Sequence, residues 1–146
     1  MPTVLGRPYN TSWRGSPPHM LKEDVPIWLR FLDKYGDFYP GVYYDVAVGG
    51  PELSKEELED PLKRMWLYNN SKRIDAVIKL PEEVMIIEVA TRPGLRAIGQ
   101  LLTYVSLWQE DDPWGLIERP YLISEHVDKD LIRSAAKYGI STIIVP

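Results

Sequence analysis

Residues 73–91, RIDAVIKLPEEVMIIEVAT, decide the fold. Two runs rich in Val and Ile, Arg73 to Leu80 and Glu83 to Thr91, flank Pro81-Glu82, which is the composition of two β-strands joined by a tight turn. An acid interrupts each run, Asp75 in the first and Glu88 in the second. Acids are poor strand formers and costly to bury, so each asks for a physical reason. With Pro81 and Glu82 as the two loop residues, Leu80 faces Glu83 and Asp75 falls opposite Glu88, their Cβ atoms about 5 Å apart on one face. A longer loop shifts the pairing in steps of two, keeping both acids on one face but making them diagonal. Two carboxylates that close repel unless something positive lies between them. A hard divalent cation such as Mg²⁺, held by carboxylates, a carbonyl and water, is the usual remedy. A solvent-exposed acidic pair and a slipped register are the alternative readings of the same residues.

Outward from this hairpin, turn and capping signals divide the chain. Asp24 as N-cap and Pro26 in the first turn open a short helix with Ile27, Leu29, Phe31, Leu32 and Tyr35, and Gly36 stops it. Phe38 to Val48, rich in Tyr and Val, predicts a strand ending at Gly49-Gly50. Ser54 and Glu57 have capping-box spacing at the head of a second, charged helix, and residues 50–70 form an insertion between strands. After Pro93-Gly94, the apolar residues Leu95, Ile98, Leu102 and Val105 recur with helical spacing to about Trp108. A strand over Tyr121 to Ser124, a helix over Val127 to Tyr138 with Leu131, Ile132, Ala135 and Ala136 inward, and a strand over Thr142 to Val145 complete the chain. The order is αβββαβαβ, an α/β domain over residues 26–146. Residues 1–25, broken by Pro8, Gly15, Pro17 and Pro18, read as an extended arm carrying Tyr9, Trp13 and Arg14.

Composition bounds the chemistry. The chain has 146 residues, 45% hydrophobic and 26% charged, which suits one globular domain. No apolar run approaches the ~20 residues of a spanning helix, and the first residues predict neither a signal nor a transit peptide. The absence of cysteine excludes disulfides, thiolate zinc sites and cysteine nucleophiles, and fits a reducing, cytoplasmic setting. The net charge of −4 is uneven, because residues 1–22 carry Arg7, Arg14 and Lys22 and no acid. An acidic body is not the footprint of a general nucleic-acid binder, but acids gathered around a metal would give the same total. His19 and His126, the only histidines, read as surface residues, and no serine carries a triad signature. There is no P-loop and no G-x-G-x-x-G. The tryptophans Trp28, Trp66, Trp108 and Trp114 read as core or interface anchors rather than base-stacking platforms.

From about Pro26 to Pro146 this pattern resembles the PD-(D/E)xK nuclease superfamily: Asp75, twelve residues, then Glu88-Val89-Ala90. The next helix carries Gln100-Leu-Leu-Thr-Tyr104, similar to the Q-x-x-x-Y motif of the RecB-like branch. Arg96, Gln100 and Tyr104, spaced by four, share one helical face. The resemblance implies a restriction-endonuclease-like core, with a mixed central sheet flanked by helices. It implies metal-dependent DNA phosphodiester hydrolysis, with Mg²⁺ or Mn²⁺ held by Asp75, Glu88 and the Val89 carbonyl, and with Gln100 and Tyr104 contacting nucleic acid or bracing the site. A further acid from the first helix has Glu23, Asp24 and Asp33 as candidates.

The sequence departs from the family at Ala90, where the pattern has lysine. A methyl group cannot stabilise transition-state charge, and losing one such group typically costs on the order of 10²–10³ in rate. The pairing that sets Asp75 opposite Glu88 sets Arg73 opposite Ala90, so Arg73 is the candidate replacement. It would bind phosphate but not serve as a general base. Lys79 lies about 13 Å along the strand from Asp75 and is a poor substitute. Three readings follow: an active nuclease; a degenerate nuclease fold kept for DNA binding or assembly, as in a virus particle or mobile element; and an unrelated α/β domain with structural acids. In each, the arm either wraps the body or reaches a protein partner or second copy.

Overall fold

The computed structural model describes residues 3–146, so the first two residues of the expected arm lie outside the described residues. Five strands form one mixed sheet in the order β1 (Tyr43–Val48), β2 (Lys72–Lys79), β3 (Glu83–Ala90), β4 (Ile117–Ser124) and β5 (Ser141–Ile144). The first three strands are antiparallel neighbours; β3–β4 and β4–β5 are parallel. Parallel neighbours need a crossover, and α4 (Leu95–Asp111) and α5 (Lys129–Lys137) supply the two. Both pack on one face of the sheet, and α1 (Val25–Tyr35) packs on the other. The central strand β3 is covered on both sides, which is why VMIIEV is almost continuously apolar. The insertion folds as α2 (Lys55–Glu59) and α3 (Pro61–Asn70). No helix among the described residues is long and apolar enough to cross a membrane.

The hairpin has the expected register. Leu80 N–H donates to the Glu83 carbonyl at 2.9 Å, closing a two-residue turn, and the ladder runs from Lys79↔Val84 to Ala76↔Ile87. The capping box is also formed: Ser54 Oγ accepts from Glu57 N–H, and Glu57 Oε1 accepts from Ser54 N–H, both at 3.1 Å.

Four local expectations are corrected. Asp24 holds the N-cap position of α1, but its carboxylate makes no capping bond and instead accepts from the Thr91 N–H and hydroxyl at 3.0 and 2.9 Å. Regular strand structure begins at Tyr43 rather than Phe38, because Gly36–Phe38 turn as a 3-10 helix and Pro40 intervenes. The buried face of α4 is Ala97, Leu101, Tyr104 and Trp108, whereas Leu95 is 81% exposed. In α5, Leu131 and Ala135 are buried but Ala136 is exposed.

One irregularity positions the site. In an unbroken strand, residues two apart share a face. In β1, however, Tyr44 packs toward α1 while Val46 packs toward α4; in β2, Ala76 packs toward α1 while Ile74 packs toward α4. The strands thus switch faces at the same level, at Asp45 and Asp75. Asp45 makes the switch with a left-handed backbone, φ +50°. Such a conformation is costly for a residue with a Cβ, though Asp tolerates it better than most.

Candidate functional site

The switch opens a cavity of about 520 Å³ at the end of the sheet. Three strands and a helix line it: Asp45 comes from β1, Arg73 and Asp75 from β2, Glu88 to Ala90 from β3, and Arg96, Gln100 and Tyr104 from α4, with Asp24 ahead of α1. The arm closes one side with Pro18, His19 and Leu21.

Asp75 and Glu88 meet. One residue beyond the end of the ladder, the Asp75 carboxylate replaces a backbone acceptor, Oδ2 taking the Val89 N–H at 2.9 Å. The two carboxyls also hydrogen-bond to one another. Burial raises the proton affinity of both. For Glu88, the bond to Asp75 and the charges of Asp75 and Asp24 raise it further. For Asp75, the bonds from Glu88 and Val89 oppose the rise and the charge of Asp45 adds to it. The pair therefore binds protons more readily than ordinary carboxyls do.

The other acids are held differently. Of the three first-helix candidates, Asp24 lines the cavity, while Asp33 pairs with Arg14 at 2.9 Å on the surface. Burial raises the Asp24 pKa against the lowering effect of Thr91. Asp45 was not singled out by the sequence reading, yet its side chain is only 5% exposed. Its Oδ2 accepts from the Tyr68 hydroxyl at 2.6 Å and from Arg73 Nη1 at 2.8 Å, and lies 3.5 Å from His19 Nε2. Its Oδ1 is buried without a partner. Tyr68 is pushed up to about 12 by burial and by its bond to Asp45.

Arg73 lines the same cavity as Ala90, but its guanidinium is already engaged. Nε and Nη2 donate to the Tyr68 carbonyl at 3.1 and 2.9 Å, Nη1 donates to Asp45, and the group stacks 3.3 Å from the centre of the Tyr68 ring. Lys79 is elsewhere, over the Trp114 ring. On α4, Gln100 is half-buried and Tyr104 buried; burial, then the charges of Glu88 and Asp75, raises the tyrosine's pKa.

The donor set suits a hard cation: it is all oxygen, and it includes a carboxyl pair of raised proton affinity whose protons a cation would displace. Among the described residues, no three acidic or histidine side chains stand close enough together to enclose a cation. The Asp75–Glu88 pair and Asp45 stand on neighbouring strands rather than in one shell.

The signal that found Asp75 and Glu88 was also present at Asp45, an acid in the apolar run YYDVAV. Tyr68 carried no such signal, because its role depends on where the insertion lands. Comparison of the chain with protein-family models, with curated proteins and with solved structures finds no match.

Proposed function

We propose that this protein is a metal-dependent DNA phosphodiester hydrolase of the PD-(D/E)xK type. The observation that carries the reading is the meeting of Asp75 and Glu88 in one cavity with the Val89 backbone, a guanidinium, and Gln100 and Tyr104 of the following helix. The order αβββαβαβ, with an antiparallel hairpin continued by two parallel strands, supports a restriction-endonuclease-like arrangement.

Asp75, Glu88 and the Val89 carbonyl would hold Mg²⁺ or Mn²⁺, with Asp24 beside them. When bound, the cation supplies Lewis acidity toward a phosphoryl oxygen. The chain's own residues do the rest. Asp75 fixes the strand end by accepting the Val89 N–H, Gln100 offers an amide to a nucleic-acid strand, and Tyr104 walls the carboxyl pair. Arg73, which lines the same cavity as Ala90, would attract phosphate without moving a proton.

A second reading has its own observation. Arg73 is neutralised by Asp45 and pinned by the Tyr68 carbonyl, so the lysine's place is filled by a cation already committed. That favours a degenerate site kept for DNA binding or assembly. Four proteins separate the readings: wild type, Arg73→Ala, Ala90→Lys and Glu88→Gln, assayed with Mg²⁺ and Mn²⁺ on linear, circular and single-stranded DNA. An active nuclease cleaves as wild type, loses cleavage in Glu88→Gln, and drops by about 10²-fold in Arg73→Ala. A silent wild type with a silent Ala90→Lys supports the degenerate site. Cleavage that survives Glu88→Gln removes the enzymatic reading.

A further inference from the structure

Beside the carboxylate cavity runs a second groove of about 480 Å³, lined by Lys72 at the start of β2 and by Arg96, Gly99, Gln100, Thr103 and Tyr104 of α4. Arg96, Gln100 and Tyr104 line both, so the groove lies directly beside the cavity. The two differ in charge. The cavity has Asp24, Asp45, Asp75 and Glu88 on its walls; the groove has no acid and two cations. Lys72 and Arg96 are exposed, and neither forms an ion pair among the described residues. In a chain of net charge −4, a cationic groove leading to an acidic chamber is a specific placement.

The floor of the groove is unusual as well. Residues 96, 99, 100 and 103 form one stripe along α4. Gly99, in the middle of a 17-residue helix, is a poor helix former. Packing does not require it, since a Cβ there would meet nothing within 4 Å. Its lack of a side chain keeps the floor flat, and the Thr103 hydroxyl beside it donates inward, to the Gly99 carbonyl at 2.7 Å.

We propose that this groove is the track for the sugar-phosphate backbone of one nucleic-acid strand entering the cavity, with Lys72 and Arg96 binding phosphates that flank the one at the carboxylates. The inference rests on the cavity being a phosphodiester site and adds to it the path of the strand and the two side chains, Lys72 and Arg96, that hold its flanking phosphates. It also accounts for the acidic composition, because cations are needed only along the track.

The test is fluorescence anisotropy of the full chain with a labelled oligothymidylate in EDTA at several salt concentrations. Lys72→Glu should weaken binding by roughly tenfold or more, and Lys72→Ala should lower the slope of log affinity against log salt by about 0.7, one phosphate contact on a single strand. Lys72→Arg should restore both. Wild type that binds no strand, or Lys72→Glu that binds like wild type, overturns the track. Equal binding and equal Lys72 dependence for a duplex overturns the single-strand assignment. Mn²⁺ titration of the same proteins in chelator-free buffer keeps the two claims apart. Mn²⁺ binding without strand binding removes the track and leaves the metal site, whereas Lys72-dependent strand binding without Mn²⁺ binding does the reverse.

Discussion

The raised proton affinity of Asp75 and Glu88 is the residue-scale feature with the most measurable consequence. Both carboxyls bind protons more tightly folded than unfolded. Their contribution to stability is therefore complete below the ordinary carboxylate range, about pH 4, and is lost as pH rises through that range toward the raised values. In chelator, wild type should lose stability relative to Glu88→Gln as pH is raised from about 4 to 8, by denaturant unfolding at each pH. A difference that grows in favour of wild type contradicts the raised proton affinity. Asp45 makes the complementary case. Asp45→Asn leaves the Arg73 guanidinium, only 22% exposed, without its counter-charge, and should cost about 2–4 kcal/mol. Asp75 and Glu88 were legible because the turn fixed their register. Asp45 carried the same mark, an acid in an apolar strand, but no pairing argument reached it, since residues 50–70 intervene before its partner strand.

At the scale of elements, the hairpin and the two crossover helices were legible because proline, glycine and capping residues punctuate them. The facing of α4 was not. Its large aliphatics, Leu95, Ile98, Leu102 and Val105, trace a helical stripe, yet the sheet takes Ala97, Leu101, Tyr104 and Trp108. Hydropathy rates Ala and Tyr below Leu and Val. The helix packs where a small residue permits close approach and where indole and phenol rings fill the space over β3. The face switch at Asp45 and Asp75 was equally hidden, being a backbone conformation rather than a pattern of side-chain types. One consequence is testable without any ligand. Because a methyl at Gly99 meets nothing, Gly99→Ala should raise stability by up to about 1 kcal/mol. A loss of stability instead assigns Gly99 a packing role that the groove argument denies it.

The whole molecule is closed at one edge by its arm. β1 is an edge strand, and the arm lies along it through bridges Val4↔Ala47 and Tyr9↔Val42. Tyr9, Trp13 and Tyr44 cluster with ring centres 4.6 to 5.8 Å apart, and Arg14 ties the arm to Asp33. An uncovered edge strand is a template for pairing with another chain. Deleting residues 1–22 should therefore lower the thermal transition and promote association seen by light scattering; an unchanged transition would show that the arm adds nothing to the body. Composition revealed the arm, but not its destination, because docking depends on Tyr44 and on an edge that only the sheet order defines.

The central claim, that the Asp75–Glu88 pair holds a divalent cation, is tested most directly by calorimetric titration of Mn²⁺ into the full chain at neutral pH, in two buffers of different ionisation enthalpy. The account predicts saturable binding that releases about one proton per cation, with binding abolished in Glu88→Gln and Asp75→Asn. Binding that is equal in wild type and both variants, or binding with no proton release, would contradict it.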